Sequence, residues 1–150
     1  NLESPQGAQI LYFLNDTDPE SVIRSPVIID ADILHWQSTE SPGILTKELR
    51  SDPGNGARTW LLRVEPRASV PRQSSSVVRE GYLVAGNYQH SECALGEVHT
   101  APYLPGGYFY RPANTVNGGP LSGGVDDAIW FLRETEKGIE TVASGCEPIS

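Results

Sequence analysis

The chain has 150 residues, 38% of them hydrophobic and 20% charged, which supplies one compact core and argues against disorder throughout. Nineteen acids against eleven bases leave a formal charge of −8, with no Lys/Arg cluster to track a phosphate backbone, so nucleic acid and anionic membrane surfaces are poor partners. No apolar run approaches the roughly 20 residues that a membrane-spanning helix needs.

In chain order, the first 42 residues form a candidate N-terminal arm. Short apolar runs at 10–14, 26–30 and 33–36 read as strands that extend a sheet. Exposed strand edges invite pairing with a second chain, so the arm is expected to give a homodimer or a seat in a larger assembly; wrapping around its own domain is the alternative. The chain begins at Asn1 and contains no methionine, which predicts a removed leader, a cleaved secretory signal being the natural candidate. The expected location is therefore extracytoplasmic, periplasmic or secreted. The sequon Asn15-Asp-Thr17 is compatible with that location.

Beyond the arm, residues 43–49, 59–64, 77–85, 108–111 and 128–133 are rich in β-branched, aromatic and aliphatic side chains and are predicted strands. Gly/Pro-rich clusters at 51–56, 102–107 and 117–124 separate them as turns or loops. No segment holds a 3.6-residue apolar period over three turns. The stretch 127–134, with its aromatic and β-branched content, reads as a fully buried strand. Many short strands with Gly/Pro punctuation predict an all-β sandwich or closed barrel. The expected organisation is an arm at 1–42, a barrel at 43–136 and a C-terminal tail at 137–150.

Two stretches within the barrel carry more specific information. The first runs from Pro66 to Gly86 and contains Gln73, Ser75, Arg79 and Glu80; the second runs from Pro105 to Gly119 and contains Asn117. Both resemble the two motifs of the cupin superfamily, closest to its small single-domain, anti-sigma-factor-type members. The resemblance covers about residues 43–133 and implies a double-stranded β-helix, the jelly-roll barrel of that family. In the family the first motif supplies His-x-His and then Glu, and the second supplies a further His, all as metal ligands. Counting back from Gly86 and forward from Pro105 places Gln73 and Ser75 on the two histidine positions, Arg79 on the glutamate position and Asn117 on the last histidine.

A transition metal needs imidazole and carboxylate donors, whereas amides and hydroxyls are weak ligands and a guanidinium repels a cation. No metal and no other cofactor is therefore expected, a one-residue bulge at Glu80 being the route by which a carboxylate would return. With Gln73, Ser75, Arg79 and Asn117 facing inward beside Trp60 and Tyr82, and with Tyr108 and Trp130 as further aromatic candidates, the pocket suits a carboxylate or a sugar.

His90, Glu92, Glu97 and His99 lie close in sequence but fall in the connection and strand between the motifs, where exposed polar residues and a solvated loop are expected rather than a substitute metal site. The run Ser74–Ser76 has no neighbouring histidine and no nucleophile elbow, and no catalytic residue is assigned. Asp30/Asp32 and Asp126/Asp127 read as turn and strand-end residues. Cys93 lies between the motifs and Cys146 in the tail. Paired, they close a loop of about fifty residues, worth on the order of 3 to 4 kcal/mol; two free buried thiols are the other reading.

Processed, acidic and without catalytic equipment, the chain is expected to be a metal-free, non-catalytic accessory subunit of an extracytoplasmic assembly, working through protein partners or copies of itself. The alternatives are a cupin that binds a small carboxylate or sugar, and a metal-dependent dioxygenase or isomerase with atypical ligands.

Overall fold

The computed structural model describes residues 10–13 and 21–146. Its strands are β1 (Gln37–Ser38), β2 (Ile44–Ser51), β3 (Arg58–Val64), β4 (Gln73–Ser75), β5 (Arg79–Ala85), β6 (Tyr88–Ala94), β7 (Glu97–Tyr103), β8 (Tyr108–Arg111), β9 (Gly123–Gly124), β10 (Ala128–Glu134) and β11 (Glu140–Val142). Six of them form an antiparallel sheet in the order β1-β2-β3-β10-β5-β8. The second layer comprises β7-β6-β9 and β11-β4, and Asn117 ties the two pieces together by bridging to both Gln73 and Glu92. This is the all-β jelly-roll barrel.

The central strand β10 was readable because its run of aromatic and aliphatic residues is too short for a helix and alternates strictly. Ala128, Trp130, Leu132 and Glu134 are buried, while the residues between them are half-buried. Trp130 meets Tyr88 of the other layer edge-on at 5.3 Å, and Ile44, Trp60, Val64, Val70 and Leu83 complete the core around them. Gly81 has a packing role: a Cβ there would stand 2.3 Å from the Phe109 ring, so its absence lets Phe109 lie against β5. Gly86 closes the β5–β6 connection at φ +77°, and a Cβ there would meet the Asp127 carbonyl at 2.3 Å.

The arm departs from expectation. Residues 26–30 join no ladder, and Ile28 is 94% exposed. At 33–36 no strand forms: a short 3-10 turn (Ala31–Ile33) ends at the first of these residues, and local bonds satisfy the backbone there. The Asp30 carboxylate accepts from the Asp32 N–H at 3.0 Å, and the Leu34 N–H donates to Ala31. Only Gln37 and Ser38 then pair with β2. Residues 10–13 form no strand; Phe13 stacks on Phe131 at 5.7 Å, on the outer face of the sheet of its own barrel. Leu14, the sequon Asn15–Thr17 and residues 147–150 lie outside the described residues.

The expected loop around His90 is instead a hairpin, β6 against β7, closed by Leu95 and Gly96 at φ 53° and 81°. Two residues with positive φ match the twist of the flanking strands. Cys93, near the end of β6, is bonded to Cys146, with Cα atoms 5.2 Å apart and a separation of 53 positions in sequence.

Candidate functional site

The inward-facing positions divide the barrel into an apolar half and a polar half, and the polar half holds two charged clusters. The first is centred on Glu134, the last residue of β10, whose side chain is fully buried. It accepts from Arg79 Nε and Nη2 at 2.9 and 2.6 Å, from Arg58 Nε at 2.8 Å and from Ser75 Oγ at 3.2 Å. Burial opposes its charge, but Arg79 and Arg58 together outweigh burial and hold the carboxyl below its ordinary 4.5. Arg79 reaches a second carboxylate, Glu140 of β11, at 2.7 Å. The guanidiniums of Arg58 and Arg79 lie 4.1 and 5.3 Å from the Trp60 ring centroid.

The second cluster joins the two layers. Arg111, at the end of β8, donates from Nε to Glu92 Oε1 of β6 at 3.0 Å. His90 Nε2 contacts the same carboxylate oxygen and lies 3.3 Å from Arg111 Nη2. The imidazole is stacked on Phe109 at 5.7 Å and met edge-on by Tyr103 at 5.1 Å, so its orientation is set on several sides. Glu92 is opposed by burial, yet His90 and Arg111 bring its carboxyl below 4.5.

Two spaces that share lining residues adjoin these clusters. An outer cavity of about 420 Å³ is walled by Thr46, Arg58, Trp60, Gln73, Arg79 and Glu140. An inner chamber of about 40 Å³, room for two or three waters, is lined by His90, Arg111, Asn117 and Trp130 and shares Gln73 and Arg79 with the outer cavity. Residues 39–41 before the barrel and Glu140 and Val142 after it also wall the outer cavity, so both flanks of the barrel contribute to the site.

The structure brings most of the expected pocket residues together. Gln73, Arg79 and Trp60 face the outer cavity, and Asn117 faces the inner chamber. Ser75 is buried behind Arg79, bonded to Glu134, and lines neither space. Tyr82 is a correction. On β5 the buried positions are Arg79, Gly81 and Leu83, so Tyr82 falls on the opposite face. Tyr108 is also on the outside, where donation to Glu80 at 2.6 Å pushes its phenol up to about 12. Glu80 stays outside with it, held by Arg133 at 3.2 Å, and does not turn inward. Arg58, Arg111, Glu134 and Glu140 went unassigned in the sequence, and His90 and Glu92 were expected in a solvated loop; the alternation along β10, carried one step past Leu132, points to Glu134.

A divalent metal, implied by the motif resemblance, does not fit these residues. Among the described residues no three His, Cys, Asp or Glu side chains converge. Arg79 is itself one of the four motif residues and is bonded to Glu134, and Arg111 Nη2 lies 3.3 Å from the imidazole nitrogen nearest Glu92.

Comparison with known structures agrees with the architecture. KdgF from a Halomonas species is 23% identical, with a TM-score of 0.56 over 71% of this chain and 92% of its own. An RmlC-like cupin from Ralstonia eutropha JMP134 is 18% identical, with a TM-score of 0.60 over 82% and 76%. Oxalate oxidase in complex with the substrate analogue glycolate is 13% identical, with a TM-score of 0.64 over 83% and 68%. At these identities the likeness shows the cupin fold alone. No curated protein matches the sequence. The family described as "Domain of unknown function (DUF4437)" matches residues 8–138, most of the barrel and part of the arm, and the chain belongs to that family.

Proposed function

We propose that this cupin is a binding protein for a small polar ligand, a carboxylate or a sugar, received in the 420 Å³ outer cavity with its end group toward the inner chamber. The observation that carries the reading is Arg79, a buried guanidinium that lines both spaces, as Gln73 does, with Thr46 also in the wall of the outer cavity. A concave site of this size with a few converging polar groups is what small ligands use. It argues for a ligand over the scaffold role expected first, because a barrel that only supports neighbours has no use for an interior space lined by charges.

We take the barrel to be an anti-sigma-factor-type cupin in which Gln73, Ser75, Arg79 and Asn117 stand where metal ligands stood, so that hydrogen bonding replaces coordination. The Cys93–Cys146 bond supports an oxidising, extracytoplasmic location. Calorimetry against organic acids and sugars is expected to show saturable heat for at least one class, weakened tenfold or more in Gln73→Ala; no heat for any compound overturns the proposal.

The buried His90–Glu92 pair supports a second reading, in which the ligand is also a substrate and His90 exchanges a proton with it. Incorporation of solvent deuterium into the bound ligand, lost in His90→Gln, distinguishes turnover from binding.

A further inference from the structure

The outer cavity contains a carboxylate that belongs to the protein. Glu140 lies on β11, a three-residue strand whose residues are all exposed, and its own side chain is 48% exposed while it contacts Arg79 at 2.7 Å. Arg79 therefore has two carboxylate partners of different kinds. Glu134 is fully buried within the main sheet; Glu140 arrives from the edge and walls the cavity. The ladder that holds β11 is short. It pairs Glu140 to Val142 with Ser75 to Gln73, supported by the backbone bonds Ser76 N–H to Ile139 and Ala143 N–H to Arg72. Such a strand opens locally at little cost, since it buries almost no apolar surface. It does not leave, because four residues beyond Val142 the chain is anchored at Cys146 to Cys93.

Resting on the ligand-binding reading above, we propose that Arg79 is the carboxylate subsite of the cavity and that Glu140 occupies it in the free protein as a tethered competitor. A ligand carboxylate displaces Glu140, and the strap β11 swings aside while the disulfide keeps it near. The charge balance allows this. Arg58 and Arg79 face Glu134 and Glu140, so an incoming carboxylate on Arg79 replaces one negative charge with another, whereas its addition beside a retained Glu140 would place an unpaired charge in the cavity. Glu134 cannot be the one displaced, because it is fully buried and bonded to Arg58, Arg79 and Ser75 together. The ligand class is thus a hydroxylated monocarboxylate: one carboxylate for Arg79, with hydroxyls toward Thr46 and Gln73. The tether sets the threshold for entry, since a tethered group competes at an effective concentration in the millimolar range.

The test follows the side-chain N–H signal of Arg79 by NMR while D-gluconate, or the neutral methyl glucoside, is added to wild type, Glu140→Gln and the reduced protein. Glu140→Gln is expected to bind gluconate at least fivefold more tightly than wild type, with a smaller gain on reduction and no change for the glucoside. Equal or weaker binding of gluconate by Glu140→Gln overturns the proposal and makes Glu140 a fixed wall. Binding of the glucoside alone also overturns it while leaving the ligand-binding reading standing. If neither compound perturbs any cavity signal in any form, both readings fall. Amide exchange at Ile139 and Ala143 checks that the variant keeps β11 paired in the absence of ligand.

Discussion

Strand β10 passes through two interiors that share a backbone and differ in how burial is made tolerable. In one half Ala128, Trp130 and Leu132 face Val64, Leu83 and Tyr88, and stability comes from area removed from water, which asks for volume and little direction. One step further, Glu134 occupies the same alternating position and is equally buried, but its tolerance rests on three donors from three other strands arriving at hydrogen-bond distance. The first half accepts conservative changes in size. The second accepts almost none, because removal of one partner strands the charges of the others. The directional contacts set the polar half apart, and it is there that the proposed ligand site lies.

The contrast predicts unequal responses. Glu134→Ala is expected to cost about 3–5 kcal/mol in denaturant unfolding, since Arg79 and Arg58 lose their buried counter-charge. A cost under about 1 kcal/mol would show that the polar half is held together by something other than charge pairing. The same residue sets a pH dependence. Its carboxyl lies below 4.5 when folded, so around that pH the unfolded chain binds more protons than the native one. Its contribution is fully present above about pH 4.5 and is lost as pH falls through the folded value. Glu92 titrates in the same direction, as does Asp52, held below 3.8 chiefly by the Ser21 hydroxyl, with Gly54 and Arg50 adding to it against burial. Stability measured from pH 7 to pH 3 should therefore fall in wild type and fall less in Glu134→Ala.

In the apolar half, Leu83→Ala should cost about 3 kcal/mol through a cavity in the core, with a pH profile parallel to that of wild type. A profile that changed shape would mean the two halves are electrostatically coupled. The smallest expected effect is Tyr88→Phe, about 1 kcal/mol, from loss of the bond to Ser122 at 3.0 Å. Burial pushes the Tyr88 phenol up to about 12, so this loss should be independent of pH throughout the neutral range.

The sequence reveals the main sheet better than the second layer, for a physical reason. β10 and β3 follow the rule that buried positions are apolar, and residues 127–134 and 59–64 announce it. β6 breaks the rule: its inward positions are Tyr88, His90 and Glu92, and Ser91 on the other face is buried too, so the period-2 apolar signal is absent and the segment resembles a loop. Its turn is hidden as well, because Leu95 takes the left-handed conformation usually left to Asn or Gly. Arg79 is legible from the spacing of the first motif, and the same spacing was sufficient to exclude Tyr82, three residues on and hence on the other face. The partners of Arg79 are not legible, since Glu134 and Glu140 lie more than fifty residues away and only the closed sheet brings them near.

The strand order also sets a schedule. β10 is the last of the six main-sheet strands in the chain, yet it lies between β3 and β5. Until residue 134 has left the ribosome, β1-β2-β3 and β5-β8 have no ladder to join them, and each presents an open edge toward the place β10 will fill. Folding of such non-local sheets is slow, typically milliseconds to seconds, and their unpaired edges are prone to misassociation. The nascent chain thus completes its barrel in one late, cooperative insertion, and protection of those two edges during synthesis or transport is a need built into the topology.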